Sequence, residues 1–476
     1  MLYLYRKDFF NTKKLIEEFK FNEALRIVDE LEKDQDLTDQ EKFDCYYLKA
    51  CLLLELGPSK SNEILKYIEL AYRESQKLKN KLQIIDVLLL KSSFLRGEDV
   101  NIAFKIIEKA EQILHTIIQE SSIECEVKSA FLALNKGFCY FSLGDLNCSL
   151  KYAEEVSTIA KEIKSKELIM QATKLFAATY NLLGKIDLAL EYSKYYLAAA
   201  EEINNKQEII GAFNIIGLIL SQKGEFTQAL GYLEQSLLLC DEISSYKTPY
   251  ILDSLFDLYI NINLIEKAQY CLNRIRVFRD QENIRGLDDN YRLKKAILLK
   301  KKPQDTNRLK AKEIFKQIIE EEGTFVEFEY LALINLCELF LEELSKTDDL
   351  KVLERIHPYV IQIENIAKKQ ESFWLLAEAL LFQAKLKLII FEFEEAQNLL
   401  IKAHNIAEKY GLSRLAKRLI NEQYELSNNL AKWEKIKASE AKMLERMNLA
   451  QINDQIEILL QKRNYLKKLA MNLNQG

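Results

Sequence analysis

A short sequence pattern recurs at a constant interval in the middle of the chain. It reads GDLNCSL at residues 144–150, GKIDLAL at 184–190 and GEFTQAL at 224–230. A looser copy, NLIEKAQ, occupies residues 263–269. Each copy starts with a residue that tolerates a left-handed backbone and then places apolar and small residues at fixed positions. The pattern predicts a chain built from repeats of about 40 residues.

Further copies extend the repeat toward both ends. FKFNEAL at residues 19–25 and FEFEEAQ at 391–397 keep the pattern with Phe in place of Gly. Together with weaker turn markers, all the copies divide the chain into about eleven units of 38 to 47 residues. Within a unit the apolar residues have a helical period, as in Phe213, Ile216, Gly217 and Leu220. Each unit is therefore predicted to be a pair of antiparallel helices.

The composition supports helices over sheets. Among 476 residues only 13 are Gly and 4 are Pro, while 48% are hydrophobic and 29% are charged. A β protein of this length needs many more turn residues, and a disordered chain would have fewer apolar ones. Small residues such as Gly137 and Gly217 are expected where two helices approach closely. The sequence predicts an all-α protein.

In two units the residues resemble a known family. One has Phe213, Ile216, Gly217, Leu220, Gly224, Phe226 and Ala229, and another has Phe176, Ala177, Tyr180, Gly184, Ile186 and Ala189. Both are similar to the tetratricopeptide repeat (TPR) superfamily, and the long repeat period is similar to kinesin-light-chain-like repeats. The resemblance implies a superhelical solenoid of about ten to eleven helical hairpins over residues 1–437, most clearly at 129–281 and 377–410.

The C-terminal segment, residues 438–476, departs from the repeat. An apolar series with alternating spacings of three and four runs through it, in which Arg463 and Ala470 complete the register of Leu449, Ile452, Ile456, Leu459, Leu466 and Leu473. We expect the segment to cap the final helix pair, because solenoid ends need a polar outer cover. A homodimeric coiled coil through residues 449–473 is the alternative.

The family resemblance also implies a ligand-binding stripe, because in such superhelices the first helix of each pair lines the concave face. Asn side chains there can bond both the N–H and the C=O of an extended peptide. Packing between helices is the alternative role for each residue of the stripe. The implied residues are Leu134, Phe138, Phe141, Lys174, Ala178, Asn181, Asn214, Leu218, Ser221, Asp253 and Asp257.

A basic window lies between Arg274 and Lys312. It has thirteen basic residues against five acidic ones, a net charge of about +8 in a chain whose net charge is −5. A solvated ridge, neutralised by the acidic stretch 313–329, is the favoured interpretation. A site for an acidic partner is the alternative, and nucleic acid is the least favoured partner. The candidate patch comprises Arg292, Lys294, Lys295, Lys300, Lys301 and Lys302.

No motif of an enzyme or metal site is present. The three histidines, His115, His357 and His404, have no Cys, Asp or Glu at metal-ligand spacing, and no phosphate loop or nucleophile elbow occurs. We therefore expect no catalytic residue, no metal and no cofactor. Only a pocket with convergent titratable groups of strongly perturbed pKa would favour an enzyme.

The expected function follows from architecture and the lack of chemistry. No signal peptide or membrane span is evident, and the eight cysteines fall mostly in apolar helical stretches, so a cytoplasmic protein with reduced thiols is expected. We expect a non-enzymatic interaction scaffold that binds a peptide segment or partner helix in the concave groove. The alternative is a peptide-responsive regulatory sensor similar to bacterial pheromone-receptor TPR proteins. The sequence does not identify the partner.

Overall fold

A computed structural model describes residues 11–12, 14–16, 20–57, 61–97, 99–117, 123–282, 285–370, 372–410 and 412–461. Over these ranges the secondary structure is α-helical, with no strand, which confirms the all-α prediction. The chain divides into two compact units, described separately below. Unit 1 comprises residues 1–282 with 468–476, and unit 2 comprises residues 283–467.

Unit 1 contains thirteen described helices, numbered here in chain order. They are α1 (Phe21–Leu31), α2 (Asp39–Leu56), α3 (Ser61–Leu78), α4 (Lys81–Leu95), α5 (Val100–His115), α6 (Ile123–Leu143), α7 (Leu146–Glu162), α8 (Lys166–Leu182), α9 (Ile186–Glu202), α10 (Lys206–Lys223), α11 (Phe226–Ile243), α12 (Thr248–Asn261) and α13 (Ile265–Glu282).

Unit 2 contains ten described helices. They are α14 (Arg285–Lys301), α15 (Asp305–Glu320), α16 (Val326–Thr347), α17 (Lys351–Lys369), α18 (Phe373–Ile389), α19 (Phe393–Lys409), α20 (Ser413–Asn428), α21 (Leu430–Ala438), α22 (Met443–Leu449) and α23 (Ile452–Gln461).

Consecutive helices pack as antiparallel hairpins. Six complete hairpins in unit 1 run from α2–α3 to α12–α13, and four in unit 2 run from α14–α15 to α20–α21. The first helix of one hairpin also contacts the first helix of the next at α4–α6, α6–α8, α10–α12 and α14–α16. These ten hairpins, with α1 before them, confirm the predicted helical-hairpin solenoid.

The glycines of the repeat have the backbone that the pattern predicts. Gly144, Gly184 and Gly224 end the first helix of their hairpins with φ of 79°, 72° and 79°, a left-handed conformation in which Gly has no steric cost. Asn263 and Phe391, the residues that replace Gly, have φ of 59° and 66°. The turn conformation is therefore retained even where the glycine is lost.

A second series of left-handed residues connects the hairpins to one another. Lys164, Asn204 and Ser244 have φ of 54°, 53° and 51°, and they are spaced by the same interval as the repeat glycines. Two of the residues that follow them cap the next helix, because the side chains of Ser165 and Asn205 accept hydrogen bonds from the first turns of α8 and α10. The repeat thus determines both kinds of turn, although the sequence pattern revealed only one.

Two glycines allow helices to approach closely, as predicted. A Cβ added at Gly217 would lie 2.6 Å from Cγ of Leu233, and one added at Gly137 would lie 2.6 Å from Cδ2 of Leu175. Both distances are far below a normal carbon contact, so only Gly fits without displacing the neighbouring side chain. Ala229, which faces Gly217 across the hairpin, is fully buried.

The C-terminal segment of unit 2 is two short helices, α22 and α23. They lie against α16 and α18 instead of extending as a single helix. Ile452, Ile456 and Leu459, which belong to the predicted dimer seam, are buried inside the same unit. A homodimer through residues 449–473 stays a prediction that would require this segment to detach, while Leu466 and Leu473 lie outside the described residues.

Candidate functional site

The candidate site is formed by the first helices of the hairpins in unit 1, whose shared surface we call the inner face of unit 1. Its polar groups come from helices far apart in sequence. Lys247, just before α12, donates a hydrogen bond of 2.9 Å to the backbone oxygen of Gln207 on α10. Across the unit, a Cβ added at Gly57, which ends α2, would lie 3.0 Å from Cβ of Tyr246. The inner face therefore brings α2 close to the start of α12.

A charged cluster lies at the centre of this face. Lys174 on α8 pairs with Glu208 on α10 at 3.0 Å, and the hydroxyl of the buried Tyr196 also donates to Glu208. Burial opposes ionisation of Glu208, but Lys174, Lys247 and the Tyr196 hydroxyl outweigh it and hold the pKa at about 2. Glu208 is thus a fixed negative charge at neutral pH.

Two further carboxylates on the inner face have no cationic partner of their own. Glu55 on α2 and Glu167 on α8 are solvent-accessible and form no ion pair with any described residue. Desolvation by the surrounding protein raises the pKa of both, and Glu208 raises each further, while Lys247 and Lys174 partly offset the effect at Glu55. Side chains that are accessible and yet desolvated indicate a concave surface.

Two asparagines on neighbouring first helices have unsatisfied carbonyl groups. Asn181 on α8 is 7% exposed and Asn214 on α10 is half-buried, and the Oδ1 atom of each is buried without a hydrogen-bond donor in the described part of the chain. Leaving a buried acceptor unpaired costs about 1–3 kcal/mol, so such atoms are uncommon in folded proteins. Both asparagines belong to the stripe that the family resemblance implied.

The other stripe residues divide into two groups. Phe141 and Asp253 have no exposed surface and Leu134 is 5% exposed, so in this structure these three pack in the core instead of facing a ligand. The remaining residues are half-buried, which leaves part of each side chain accessible: Phe138, Lys174, Ala178, Leu218, Ser221 and Asp257.

Four charged residues of the inner face were not predicted from the sequence: Glu55, Glu167, Glu208 and Lys247. A signal for two of them was present, because Glu167 and Lys247 lie one repeat of 40 residues before and after Gln207. Glu167 and Gln207 are the second residues of α8 and α10, and Lys247 directly precedes α12. Aligning polar residues by the repeat period, and not only the turns, would have found this row. Glu55 precedes the clear repeats, where no register was available.

The predicted basic patch is partly neutralised and partly buried within unit 2. Lys300, which is buried, pairs with Glu338 at 2.6 Å, and Arg292 pairs with Glu321 at 2.5 Å. Lys294 is fully buried, so neither it nor Lys300 belongs to a surface patch. Lys295 and Lys301 are exposed and Lys302 is half-buried. Glu321 lies in the acidic stretch expected to neutralise this window.

The corresponding first helices of unit 2 are covered by the chain itself. Tyr330 on α16 donates a hydrogen bond of 3.1 Å to the backbone oxygen of Leu459. Lys385 on α18 donates one of 2.9 Å to the backbone oxygen of Ala450. Gln455 on α23 donates a hydrogen bond of 2.9 Å to Oε2 of Glu378. The segment α22–α23 therefore occupies the inner face of unit 2.

In the described part of the chain, no group of three or more His, Cys, Asp and Glu side chains is arranged to hold a metal ion. None of the eight cysteines, all of which lie among the described residues, forms a disulfide, and six of them are buried. None of the described helices is both long and apolar enough to cross a membrane.

No protein-family model and no curated protein matches this chain. Among solved structures, a Rap protein complexed with competence and sporulation factor is 16% identical with a TM-score of 0.53, covering 76% of this chain and 98% of that chain. This likeness supports a TPR-like helical-repeat fold.

Two other solved structures align with the chain less closely. Aspartyl phosphate phosphatase F from Bacillus subtilis is 16% identical with a TM-score of 0.46, covering 76% of this chain and 93% of that chain. The apo form of RapI is 15% identical with a TM-score of 0.48, covering 76% and 98%. Both TM-scores are too low to support a statement about fold or function.

Proposed function

We propose that the chain is a non-enzymatic protein-interaction scaffold whose unit 1 binds a peptide segment or a partner helix on its inner face. The observation that carries the proposal is the pair of unsatisfied amides at Asn181 and Asn214. We propose that both side chains rotate when a ligand binds, so that a peptide backbone passing over α8 and α10 supplies the N–H donors that the buried Oδ1 atoms lack. Such contacts recognise backbone and tolerate many sequences.

The side chains around the asparagines suit this role. Half-buried Phe138, Ala178 and Leu218 offer apolar surface to ligand side chains. The pair Lys174–Glu208 joins α8 to α10, the two helices that carry the asparagines. Residues 1–437 would form the repeat superhelix, and its long repeat period relates it to kinesin-light-chain-like repeats.

The cluster of perturbed carboxylates does not favour catalysis. Glu208, with a pKa of about 2, cannot take up a proton near neutral pH, and the cluster contains no Ser, Cys or His as nucleophile or base. We therefore propose an interaction role without cofactor or metal. A cytoplasmic location fits eight free thiols, and a net charge of −5 disfavours nucleic acid as the partner.

A second candidate is a peptide-responsive regulatory sensor. It is favoured by the similarity in fold to the Rap protein that was solved with competence and sporulation factor. A sensor must change conformation when its ligand binds, whereas a scaffold need only retain it. Hydrogen exchange separates the two, because a scaffold would gain protection on α8 and α10 alone and a sensor also on distant helices of unit 1.

The test is peptide binding by the full chain. A random hexapeptide library is passed over the protein, retained peptides are identified by mass spectrometry, and their dissociation constants are measured by fluorescence anisotropy. Asn181→Leu and Asn214→Leu should each weaken binding about tenfold or more, equal to about 1.4 kcal/mol, because each removes a hydrogen bond to the ligand.

The control is Leu238→Ala on α11. Leu238 is 72% exposed and lines a surface groove of about 510 Å³ formed by α11, α12 and α13. Binding should be unchanged in this variant. If Leu238→Ala abolishes binding while the asparagine variants bind normally, the ligand occupies that groove and the inner-face proposal is wrong.

A further inference from the structure

Arg96 is a buried arginine whose guanidinium has no hydrogen-bond or ion-pair partner among the described residues. Arg96 ends α4, is 7% exposed, and its Nε atom is buried with no hydrogen-bond acceptor. None of its side-chain nitrogens forms a hydrogen bond or an ion pair with any described residue. Folded proteins normally pair a buried cation with a counter-charge.

The surroundings of Arg96 hold the side chain in place but do not neutralise it. The guanidinium carbon lies 4.9 Å from the centre of the Phe138 ring on the neighbouring first helix α6, which is a cation–π contact. Burial lowers the pKa of Arg96, and the Cys139 thiol, whose own pKa burial raises to about 11, partly counteracts this.

Nearby polar side chains on the same two helices are already satisfied by one another. Ser93 donates a hydrogen bond of 2.6 Å to Oδ1 of Asn135, and Asn135 donates one of 2.9 Å to the backbone oxygen of Phe131. Ser92, one turn before Arg96, donates a hydrogen bond of 2.9 Å to the backbone oxygen of Leu89. The local polar network therefore leaves the guanidinium as its one unmatched member.

We propose that Arg96, positioned on the Phe138 ring, binds a carboxylate group of the peptide ligand. The inference rests on the proposed function and adds the charge of the ligand to it. A guanidinium presents two parallel N–H groups that match the two oxygens of a carboxylate. One positive charge balances one carboxylate.

Phe138 connects this site to the rest of the inner face. It is half-buried and belongs to the same stripe as Asn181 and Asn214. Neighbouring first helices α4, α6 and α8 contact one another in turn. A peptide held by the asparagines on α8 and α10 can therefore place its carboxylate against α4 and α6.

The test compares peptide selection by the wild-type chain, Arg96→Met and the matched control Arg276→Met, in which an exposed arginine of α13 is changed. Four hexapeptide pools are used, with free or amidated C-termini and with or without Asp and Glu. Wild type and Arg276→Met should retain carboxylate-bearing peptides at least tenfold more strongly than neutral ones. Arg96→Met should lose this preference and still retain neutral peptides through the asparagines.

Stability provides a second readout. Removing a buried, unpaired charge should leave the urea midpoint of the unliganded chain unchanged or higher, whereas loss of a purely structural arginine at a helix end would lower it.

Enrichment of the free-terminus pool identifies a C-terminal carboxylate, and enrichment of the acidic pool identifies a side-chain carboxylate.

Two results would overturn the inference, and they are distinguishable. If peptides are retained without a carboxylate preference, or with one that survives in Arg96→Met, the Arg96 site is wrong and the peptide-binding proposal stands. If the wild-type chain retains no peptide from any pool, the proposed function itself fails and the Arg96 site fails with it.

Discussion

The inner faces of the two units are built from the same kind of helix and differ in what covers them. In unit 1, Asn181 and Asn214 have buried carbonyl oxygens without donors in the described part of the chain. In unit 2, both the oxygen and the nitrogen of the Asn335 amide on α16 have partners. Oδ1 accepts a hydrogen bond of 2.6 Å from Lys300, and Nδ2 donates one of 2.8 Å to the backbone oxygen of Leu331. A first-helix asparagine can thus be paired within the fold, although Asn290 on α14 of unit 2 also has a buried Oδ1 without a donor in the described part of the chain. Asn181 and Asn214 differ from Asn290 in lying on the two helices that the Lys174–Glu208 pair joins.

Unit 2 also shows how such a face holds a chain segment. The side chains of Tyr330 and Lys385 donate to backbone oxygens of Leu459 and Ala450 in the segment α22–α23. These bonds depend on the backbone of the segment and not on its side-chain identity. Unit 2 therefore provides, within one molecule, an example of the backbone recognition that we propose for the asparagines of unit 1.

The largest expected effect comes from breaking the covered face of unit 2. Ile456 on α23 is 2% exposed, so Ile456→Asp would bury an unpaired carboxylate or force the segment to detach. We expect a loss of about 3 kcal/mol or more, limited by the free energy with which the segment docks. Hydrogen exchange of α22 and α23 should accelerate roughly 100-fold, since each 1.4 kcal/mol is tenfold.

Glu457→Gln is the matched control, because Glu457 is an exposed residue of the same helix. Its exchange rates should equal those of the wild type. Exchange in α8 and α10 of unit 1 should not change in either variant. Normal protection of α23 in Ile456→Asp would contradict the packing of the segment on α16 and α18.

The sequence predicted the repeated geometry well because that geometry depends on local requirements. A left-handed turn at Gly184 and a close helix contact at Gly217 each restrict the residue to Gly or a near substitute, so their spacing is readable. The number of hairpins followed from that spacing. The stripe was less certain, because equivalent positions differ in depth: Phe141 is buried, while Ser221 is half-buried.

The surface against which the C-terminal segment packs could not be predicted from its sequence. The three-and-four spacing of Ile452, Ile456 and Leu459 shows that one helix face is apolar, and such a face can be buried by a second copy, by the last hairpin or by an earlier one. Likewise, the unpaired state of Arg96 depends on which side chains surround it in space. The packing of the segment and the surroundings of Arg96 both depend on residues far apart in sequence, so the periodicity of the sequence cannot predict them.

A smaller effect is expected from the charged cluster that distinguishes the inner face of unit 1. Because the pKa of Glu208 is lowered to about 2 from an ordinary 4.5, its ionisation stabilises the folded state above about pH 5, and this contribution is lost as the pH falls toward 2. The contribution is roughly 3 kcal/mol. Glu208→Gln should therefore lower the stability of unit 1 at pH 7 and have little effect near pH 2.

The measurement is the urea dependence of hydrogen exchange in α8 and α10 at both pH values. Glu202→Gln serves as control, because Glu202 pairs with Lys166 at 2.8 Å on the exposed surface of the same unit. An exposed pair contributes between 0 and about 1 kcal/mol, so this variant should resemble the wild type. A pH-independent effect of Glu208→Gln would show that the carboxylate is not held ionised by its neighbours.

The smallest effect tests the comparison of the two faces most directly, through one substitution made in each. Asn335→Leu removes an acceptor of the buried Lys300 and should cost about 1–3 kcal/mol. Asn214→Leu removes an amide whose oxygen has no donor among the described residues, so the urea midpoint should stay within about 0.5 kcal/mol of wild type or rise. Equal losses in the two variants would mean that Asn214 is already satisfied within unit 1, and its role in ligand binding would lose its basis.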